Sequence, residues 1–262
     1  MSWVRQNRDG LVLADVRWYL DGRSGQDAYE AGHIPGAVFV DLDRWLAGDP
    51  KAGRGRHPLP DPGTFASGMA AIGIGDDAAV VGYDDQGGVV AARLVWMLRV
   101  TGHDAALLDG GIQAYDGARE QGEQPVAPAR FTARPWPQNR LADIDDASDP
   151  AYVVLDARSA ERYHGNQESV DARAGHIPGA RSFPCRDNLD EKGRFLPVGV
   201  LRERFEAVGA TTGSPAVVCY CGSGVTACHN LLALELCGLG PGRLYPGSWS
   251  EYAGAFDRPL AT

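Results

Sequence analysis

The 262-residue sequence predicts an α/β protein of two tandem domains, each a mainly parallel sheet flanked by helices. Three observations predict it. First, Gly32-His33-Ile34-Pro35-Gly36-Ala37 recurs letter for letter as Gly175-His176-Ile177-Pro178-Gly179-Ala180. Second, each copy follows an apolar strand ending in Asp-x-Arg, at residues 11–17 and 153–158. Third, each copy precedes another apolar strand that ends in tyrosine and enters a glycine-bearing loop, at 79–83 and 216–220. The halves also close alike: Leu107-Leu108-Asp109-Gly110-Gly111 leads to Tyr115, and Leu244-Tyr245-Pro246-Gly247 leads to Trp249 and Tyr252. The expected boundaries are a first domain over 1–121, a linker over 122–148 and a second domain over 149–262.

Bulk properties limit the function classes. The chain is 44% hydrophobic and 23% charged, ordinary for a globular protein and long enough for two cores. A net charge of −9 argues against nucleic acid or an anionic membrane as a partner. The five cysteines are odd in number and crowd the C-terminal third, unlike a secreted disulfide framework. No stretch approaches the roughly 18 apolar residues of a membrane span, and residues 1–17 lack the apolar segment of a signal peptide. The expectation is a cytoplasmic protein.

In the first half, the strand at 79–83 runs into Asp84-Asp85-Gln86-Gly87-Gly88 and then a helix over 91–100. The Gly-His-Ile-Pro-Gly string has a structural purpose: glycines make tight turns, proline fixes one φ, and the imidazole satisfies buried backbone groups. Because only one of the two halves carries a cysteine after its second strand, His33 and His176 are assigned to structure. Pro125, Pro128, Pro135 and Pro137 mark the linker as extended, with Phe131 and Trp136 expected to pack it along the domains.

The second half holds the chemistry. After the strand ending at Tyr220 come Cys221-Gly222-Ser223-Gly224-Val225-Thr226 and a helix carrying Leu231, Leu232, Leu234 and Leu236, with Gly238 as its C-cap. Gly222 and Gly224 let the backbone curl so that successive N–H groups point inward. Such a nest on a helix N-terminus is a partial positive charge built from the main chain. A cysteine at its mouth is expected to be a thiolate nucleophile. The other cysteines have ordinary readings: Cys219 lies on the strand, and Cys228 and Cys237 on the helix. Cys219 and Cys221 lack the second pair or histidine that a zinc site needs. A cysteine phosphatase or arsenate reductase needs an arginine six residues after the nucleophile, and that position is Ala227.

Tandem domains with Asp-x-Arg, Gly-His-Ile-Pro-Gly and this six-residue cysteine loop resemble the two-domain rhodaneses, over essentially the whole chain. The loop resembles that of their 3-mercaptopyruvate sulfurtransferase branch; the thiosulfate-preferring branch carries Arg and Lys where this chain has Gly222 and Ser223. The resemblance implies a catalytically silent first domain, where Asp84 takes the nucleophile's position. It implies a Cys221 persulfide cradled by the N–H groups of Gly222, Ser223, Gly224, Val225 and Thr226, with Ser223 as a catalytic donor. Substrate contacts are expected from Arg162, Asp43, His57 and Trp249. The family's second carboxylate-binding arginine lies a few residues before Gly-His-Ile-Pro-Gly; here the segment is shortened, and Arg173, in a different register, is the candidate. The implied donor is 3-mercaptopyruvate or thiosulfate, and the acceptor a thiol, cyanide or a thioredoxin-like protein; no metal or organic cofactor is implied. The neutral Gly222-Ser223 pair suits a donor with one carboxylate better than a compact dianion. Thiosulfate sulfurtransferase, and a persulfide carrier or redox sensor with little turnover, stand as alternatives.

Overall fold

The computed structural model describes all residues except 1–3, 5–9, 51, 52 and 215. It divides into two compact units, one of Met1–Gly48, Leu59–Trp136 and Glu191–Arg194, the other of Asp49–Pro58, Pro137–Asp190 and Phe195–Thr262. Residues 49–58, in the sequence-based first domain, therefore group with the second unit.

The first unit is a parallel sheet in the order β2-β1-β3-β4, built from β1 (Leu11–Asp15), β2 (Val38–Phe39), β3 (Ala79–Tyr83) and β4 (Ala105–Leu107). Its helices are α1 (Gly25–Ala31), α2 (Pro62–Ala71) and α3 (Ala92–Val100). The second unit repeats the order with β5 (Val153–Asp156), β6 (Arg181–Ser182), β7 (Val217–Tyr220) and β8 (Arg243–Leu244), as β6-β5-β7-β8. Its helices are α4 (Ala160–Tyr163), α5 (Val198–Ala207), α6 (Ala227–Leu236) and α7 (Ser248–Gly254). The central strands β5 and β7 are buried at every position, as strands covered on both faces must be. Pro62 at the start of α2 follows Asp61, whose side chain accepts from Gly63 N–H, so proline's missing donor falls where no intrahelical bond is needed.

The repeated string performs the same structural task twice. His33 Nδ1 lies 2.9 Å from Tyr29 O with the two rings stacked, and His176 Nδ1 lies 2.9 Å from Tyr163 O in the same arrangement. Each tyrosine hydroxyl then donates to the alanine that ends the string, Ala37 O or Ala180 O, at 2.7 Å. The Asp-x-Arg pairs close the same corner. Arg17 donates to Asp15 and to Gly32 O, and Arg158 donates to Asp156 and to Gly175 O. Each arginine thus joins the end of a central strand to the turn that begins the next one. The tyrosines ending β3 and β7 complete the frame, accepting from Ile34 N–H and Ile177 N–H through their hydroxyls.

The segment expected to be an extended linker does pack. Phe131 meets Phe65 edge-on at 5.7 Å and stacks on His103 at 4.4 Å, and Trp136 Nε1 donates to Pro60 O at 2.8 Å. From Pro137 to Asp190 the chain belongs to the second unit, where Leu141 pairs with Leu244 of β8.

Burial decides which ion pairs matter. The Arg158 and Asp156 side chains are 2% and 0% exposed, so removing one partner leaves a charge in a poorly solvated interior. Asp156→Ala is expected to destabilise the second unit by about 3 kcal/mol or more in urea unfolding. Asp21→Ala, which breaks an Arg23 pair with both side chains more than half exposed, is expected to leave the urea midpoint nearly unchanged.

Candidate active site

Strand β7 delivers Cys221 to the carboxyl end of the second sheet, and α6 begins six residues later. The main chain there is fixed from below by α7. Cys221 N–H donates to Ser248 Oγ at 3.1 Å, Trp249 N–H donates to Cys221 O at 2.9 Å, and Ser250 N–H donates to Gly222 O at 2.9 Å. Ser248 adopts φ +53°, a left-handed conformation that costs a serine free energy. Its hydroxyl also donates to Tyr245 O at 2.9 Å, so this strained residue bridges two main-chain groups.

Within the loop, Gly224 N–H donates to Cys221 Sγ at 3.1 Å, turning the curled backbone onto the sulfur. The two glycines meet different demands. Gly224 lies at φ +78°, and a β-carbon there would fall 2.6 Å from Pro246 O. Gly222 has no such dihedral; a β-carbon on it would fall 2.9 Å from Arg56 Nη2 and 3.3 Å from Arg162 Nη1. The neutral loop is therefore overlain by two guanidinium groups from elsewhere in the second unit.

Ser223 Oγ lies 2.8 Å from His57 Nδ1, and both residues are buried. His57 arrives on the stretch 55–58, and a β-carbon on Gly55 would run into Gly247 O, so this stretch lies directly against the start of α7. Arg56 N–H donates to Ser250 Oγ at 3.0 Å, fixing the same segment.

Arg162 sits in α4, where Ser159 caps the helix, and donates to Glu168 at 3.0 Å and to Asp171 at 2.8 Å. Asp171 also accepts from Arg56. Burial raises the Asp171 pKa, Arg56 opposing it, Glu168 adding to it and Arg162 again opposing it. Cys185 and Cys219 are buried thiols, and desolvation pushes both up, Cys185 to about 12, so neither offers a thiolate near neutrality. Cys228 Sγ contacts Gly224 O at 3.4 Å.

Two expected substrate contacts have other positions. Arg173 directs its guanidinium at the carbonyls of Tyr252, Ala253, Ala255 and Arg258, closing the C-terminal end of α7. Its different register explains this: it lies past the turn that carries Asp171. Trp249 is fully buried rather than walling an open pocket; its indole donates to Arg173 O, and Arg158 lies over its ring at 4.6 Å. Asp43 belongs to the first unit, in a short π-helical turn over Leu42–Leu46, and accepts from Trp18 Nε1 at 3.0 Å. Val225 is buried in the loop and Thr226 leads into α6. Arg56, Asp171, Glu168 and Ser248 were not singled out from the sequence. For Arg56 the available signal was its adjacency to His57.

The first unit has the corresponding loop with an anion already in it. The Asp84 carboxylate is fully buried and accepts from the N–H groups of Gln86, Gly88, Val90 and Ala91, at 2.7 to 2.9 Å. Burial raises its pKa, with the four N–H donors acting in the opposite direction. That half has no cysteine at all.

A parallel α/β unit that presents a cysteine sulfur to a main-chain N–H at a strand-to-helix loop has the arrangement of proteins in which such a loop holds a cysteine at a helix N-terminus. The model of the rhodanese-like domain matches residues 2–118 and again 139–255. The chain belongs to the rhodanese family, with two copies of its domain. Among relatives, a Pseudomonas aeruginosa protein provisionally named a 3-mercaptopyruvate sulfurtransferase is 42% identical, covering 99% of this chain and 95% of its own length. A Mycobacterium tuberculosis protein provisionally named a thiosulfate sulfurtransferase is 39% identical, covering 99% and 94%. The solved 3-mercaptopyruvate sulfurtransferase from Leishmania major superposes with a TM-score of 0.87 at 33% identity, covering 99% of this chain and 74% of that one.

Two substitutions test whether the loop geometry governs the sulfur. Gly224→Ala, strained by its dihedral and by Pro246 O, is expected to slow iodoacetamide labelling of Cys221 at least tenfold. Ser248→Ala, which removes the acceptor of Cys221 N–H, is expected to lower stability by about 1–2 kcal/mol in thermal unfolding, with a smaller loss of labelling rate.

Proposed function

We propose that this protein is a sulfurtransferase that moves sulfane sulfur from 3-mercaptopyruvate through a Cys221 persulfide to an acceptor, releasing pyruvate. The observation that carries the reading is Cys221 Sγ in its backbone nest, with Gly224 N–H at 3.1 Å and the Ser223–His57 pair on the same loop. The relatives' names support the same class.

In the first half-reaction the Cys221 thiolate attacks the donor sulfur, and an S–S bond forms as the carbon–sulfur bond breaks. The electron pair of that bond passes into the enolate of pyruvate, whose carbon then takes a proton. Ser223 donates a hydrogen bond to the donor's ketone oxygen, where the enolate charge collects, and His57 supplies the proton through Ser223. The persulfide's terminal sulfur rests among the N–H groups of residues 222–226, on the positive end of α6. Arg162, over Gly222, holds the donor's carboxylate. In the second half-reaction a thiol, cyanide or a thioredoxin-like protein takes the terminal sulfur and restores the thiolate. The residues require no metal or organic cofactor for either step.

A second reading, thiosulfate as donor, draws on the two guanidinium groups over Gly222, because a dianion needs cations near the sulfur. Those cations are matched by Asp171 and Glu168, so the cluster lacks the excess positive charge that would favour a dianion. The monocarboxylate donor fits better. No helix among the described residues is long and apolar enough to cross a membrane. The net charge of −9 disfavours nucleic acid and anionic membrane as partners, and a cytoplasmic location is part of the proposal.

Pyruvate release from 3-mercaptopyruvate with a thiol acceptor, run beside thiosulfate with cyanide, tests the proposal. The wild type is expected to favour 3-mercaptopyruvate, and Cys221→Ser to lose activity by at least about a thousandfold. Activity confined to thiosulfate, or retained by the variant, would overturn it. Because the enzyme is covalently modified between substrates, reciprocal plots at several acceptor concentrations are expected to be parallel; intersecting lines would reject the two-step scheme.

A further inference from the structure

The two guanidinium groups over Gly222 come from distant parts of the sequence, and one carboxylate joins them. Asp171 Oδ1 accepts from Arg56 Nη1, and Asp171 Oδ2 accepts from Arg162 Nη2 at 2.8 Å. The Asp171 side chain is 2% exposed, whereas those of Arg56 and Arg162 are 28% and 19% exposed. The carboxylate therefore lies beneath, and the cations keep open edges. Arg56 Nε is buried without a hydrogen-bond partner, a donor left unused. Arg56 Nη2 and Arg162 Nη1 come closest to Gly222, the residue that follows the nucleophile.

We infer that Arg56 is the second cation of the donor-carboxylate subsite, acting beside Arg162, and that Asp171 is an internal carboxylate that offsets the charge of this pair. The inference rests on the sulfurtransferase reading above and deepens it. A carboxylate's two oxygens offer about four acceptor sites, so a second planar guanidinium edge can join the first on the same group. Arg56 is held for this task by its main chain, through the bond from its N–H to Ser250 Oγ in α7, the helix that also fixes Cys221 and Gly222. Arg173 cannot serve as the second cation while its guanidinium closes the end of that same helix. Glu168 pairs with Arg162 at 3.0 Å and approaches Arg158 at 3.5 Å, so the subsite lies on a nearly neutral base. A donor carboxylate thus gains directional hydrogen bonds more than bulk charge attraction, and selectivity for a monoanion over a dianion follows.

The charge arrangement predicts opposite effects for two neighbouring substitutions. Arg56→Gln is expected to raise KM for 3-mercaptopyruvate about 10- to 100-fold, with kcat changed less than about threefold. Arg56→Lys is expected to recover only part of this, because an ammonium lacks the fork. Asp171→Asn is expected to lower KM about 3- to 10-fold, since the two arginines then face the donor with less of their charge matched. Pyruvate affinity, measured by calorimetry on the same proteins, is expected to move in the same directions and needs no turnover. An Arg56→Gln enzyme with KM and pyruvate affinity within twofold of wild type would overturn the assignment. An Asp171→Asn enzyme that binds pyruvate more weakly than wild type would also overturn it, reducing the cluster to a scaffold. A wild type that binds pyruvate but does not turn over 3-mercaptopyruvate would sink the proposed reaction; the calorimetric comparison would still decide the subsite.

Discussion

The main-chain hydrogen bonds between the Cys221 loop and the start of α7 are the constraint on which the rest of the site depends. A cysteine sulfur over a main-chain donor keeps that setting only if the loop cannot relax around it, and three of the loop's main-chain groups are already tied. Tying them requires Ser248 at a dihedral that serine disfavours, with its hydroxyl shared between Cys221 N–H and Tyr245 O. The fold compensates by burying α7 deeply: Trp249, Tyr252 and Ala253 belong to the core of the second unit. Arg173, closing the far end of α7, and Arg158, over the Trp249 ring, extend that support. Packing in the core thereby becomes geometry at the sulfur.

The same helix organises the polar side of the site. Ser250 takes the N–H of Arg56 on its hydroxyl while its own N–H holds Gly222. The segment that brings His57 to Ser223 and Arg56 over Gly222 is therefore registered against the element that holds the Cys221 main chain. His57, Arg56 and Cys221 thus share one supporting helix within the second unit. Such shared support limits relative motion among groups that must act together.

Much of this was legible in the sequence. The repeated string and the Asp-x-Arg strands gave the duplicated sheets, because both are local patterns whose physical purpose is local. The strand over residues 79–83 has the expected bounds, and the assignment of His33 and His176 to structure agrees with their stacking on Tyr29 and Tyr163. Cys221 stood out because it opens a glycine-bearing loop between a buried strand and a helix. What could not be read is pairing across long stretches of chain. Arg56 and Asp171 are 115 positions apart, and neither belongs to a periodic or repeated pattern. Arg173 misled because a charged residue near the expected place carries no information about where its side chain turns. The strain at Ser248 was hidden as well, since nothing in Gly-Ser-Trp-Ser requires a left-handed serine.

The Asp84 loop of the first unit holds the place in the repeat that the Cys221 loop holds in the second. Its nest is filled by a side chain tethered to the same loop, with four N–H donors on two oxygens. A loop that supplies its own acceptor needs no ligand to satisfy its N–H groups. At the matching place in the second unit stands Cys221, whose sulfur accepts from Gly224 N–H. The same strand-to-helix turn is thus closed by a carboxyl group with four donors in the first unit and met by a sulfur in the second, so the first unit shows the loop standing on its own side chain alone.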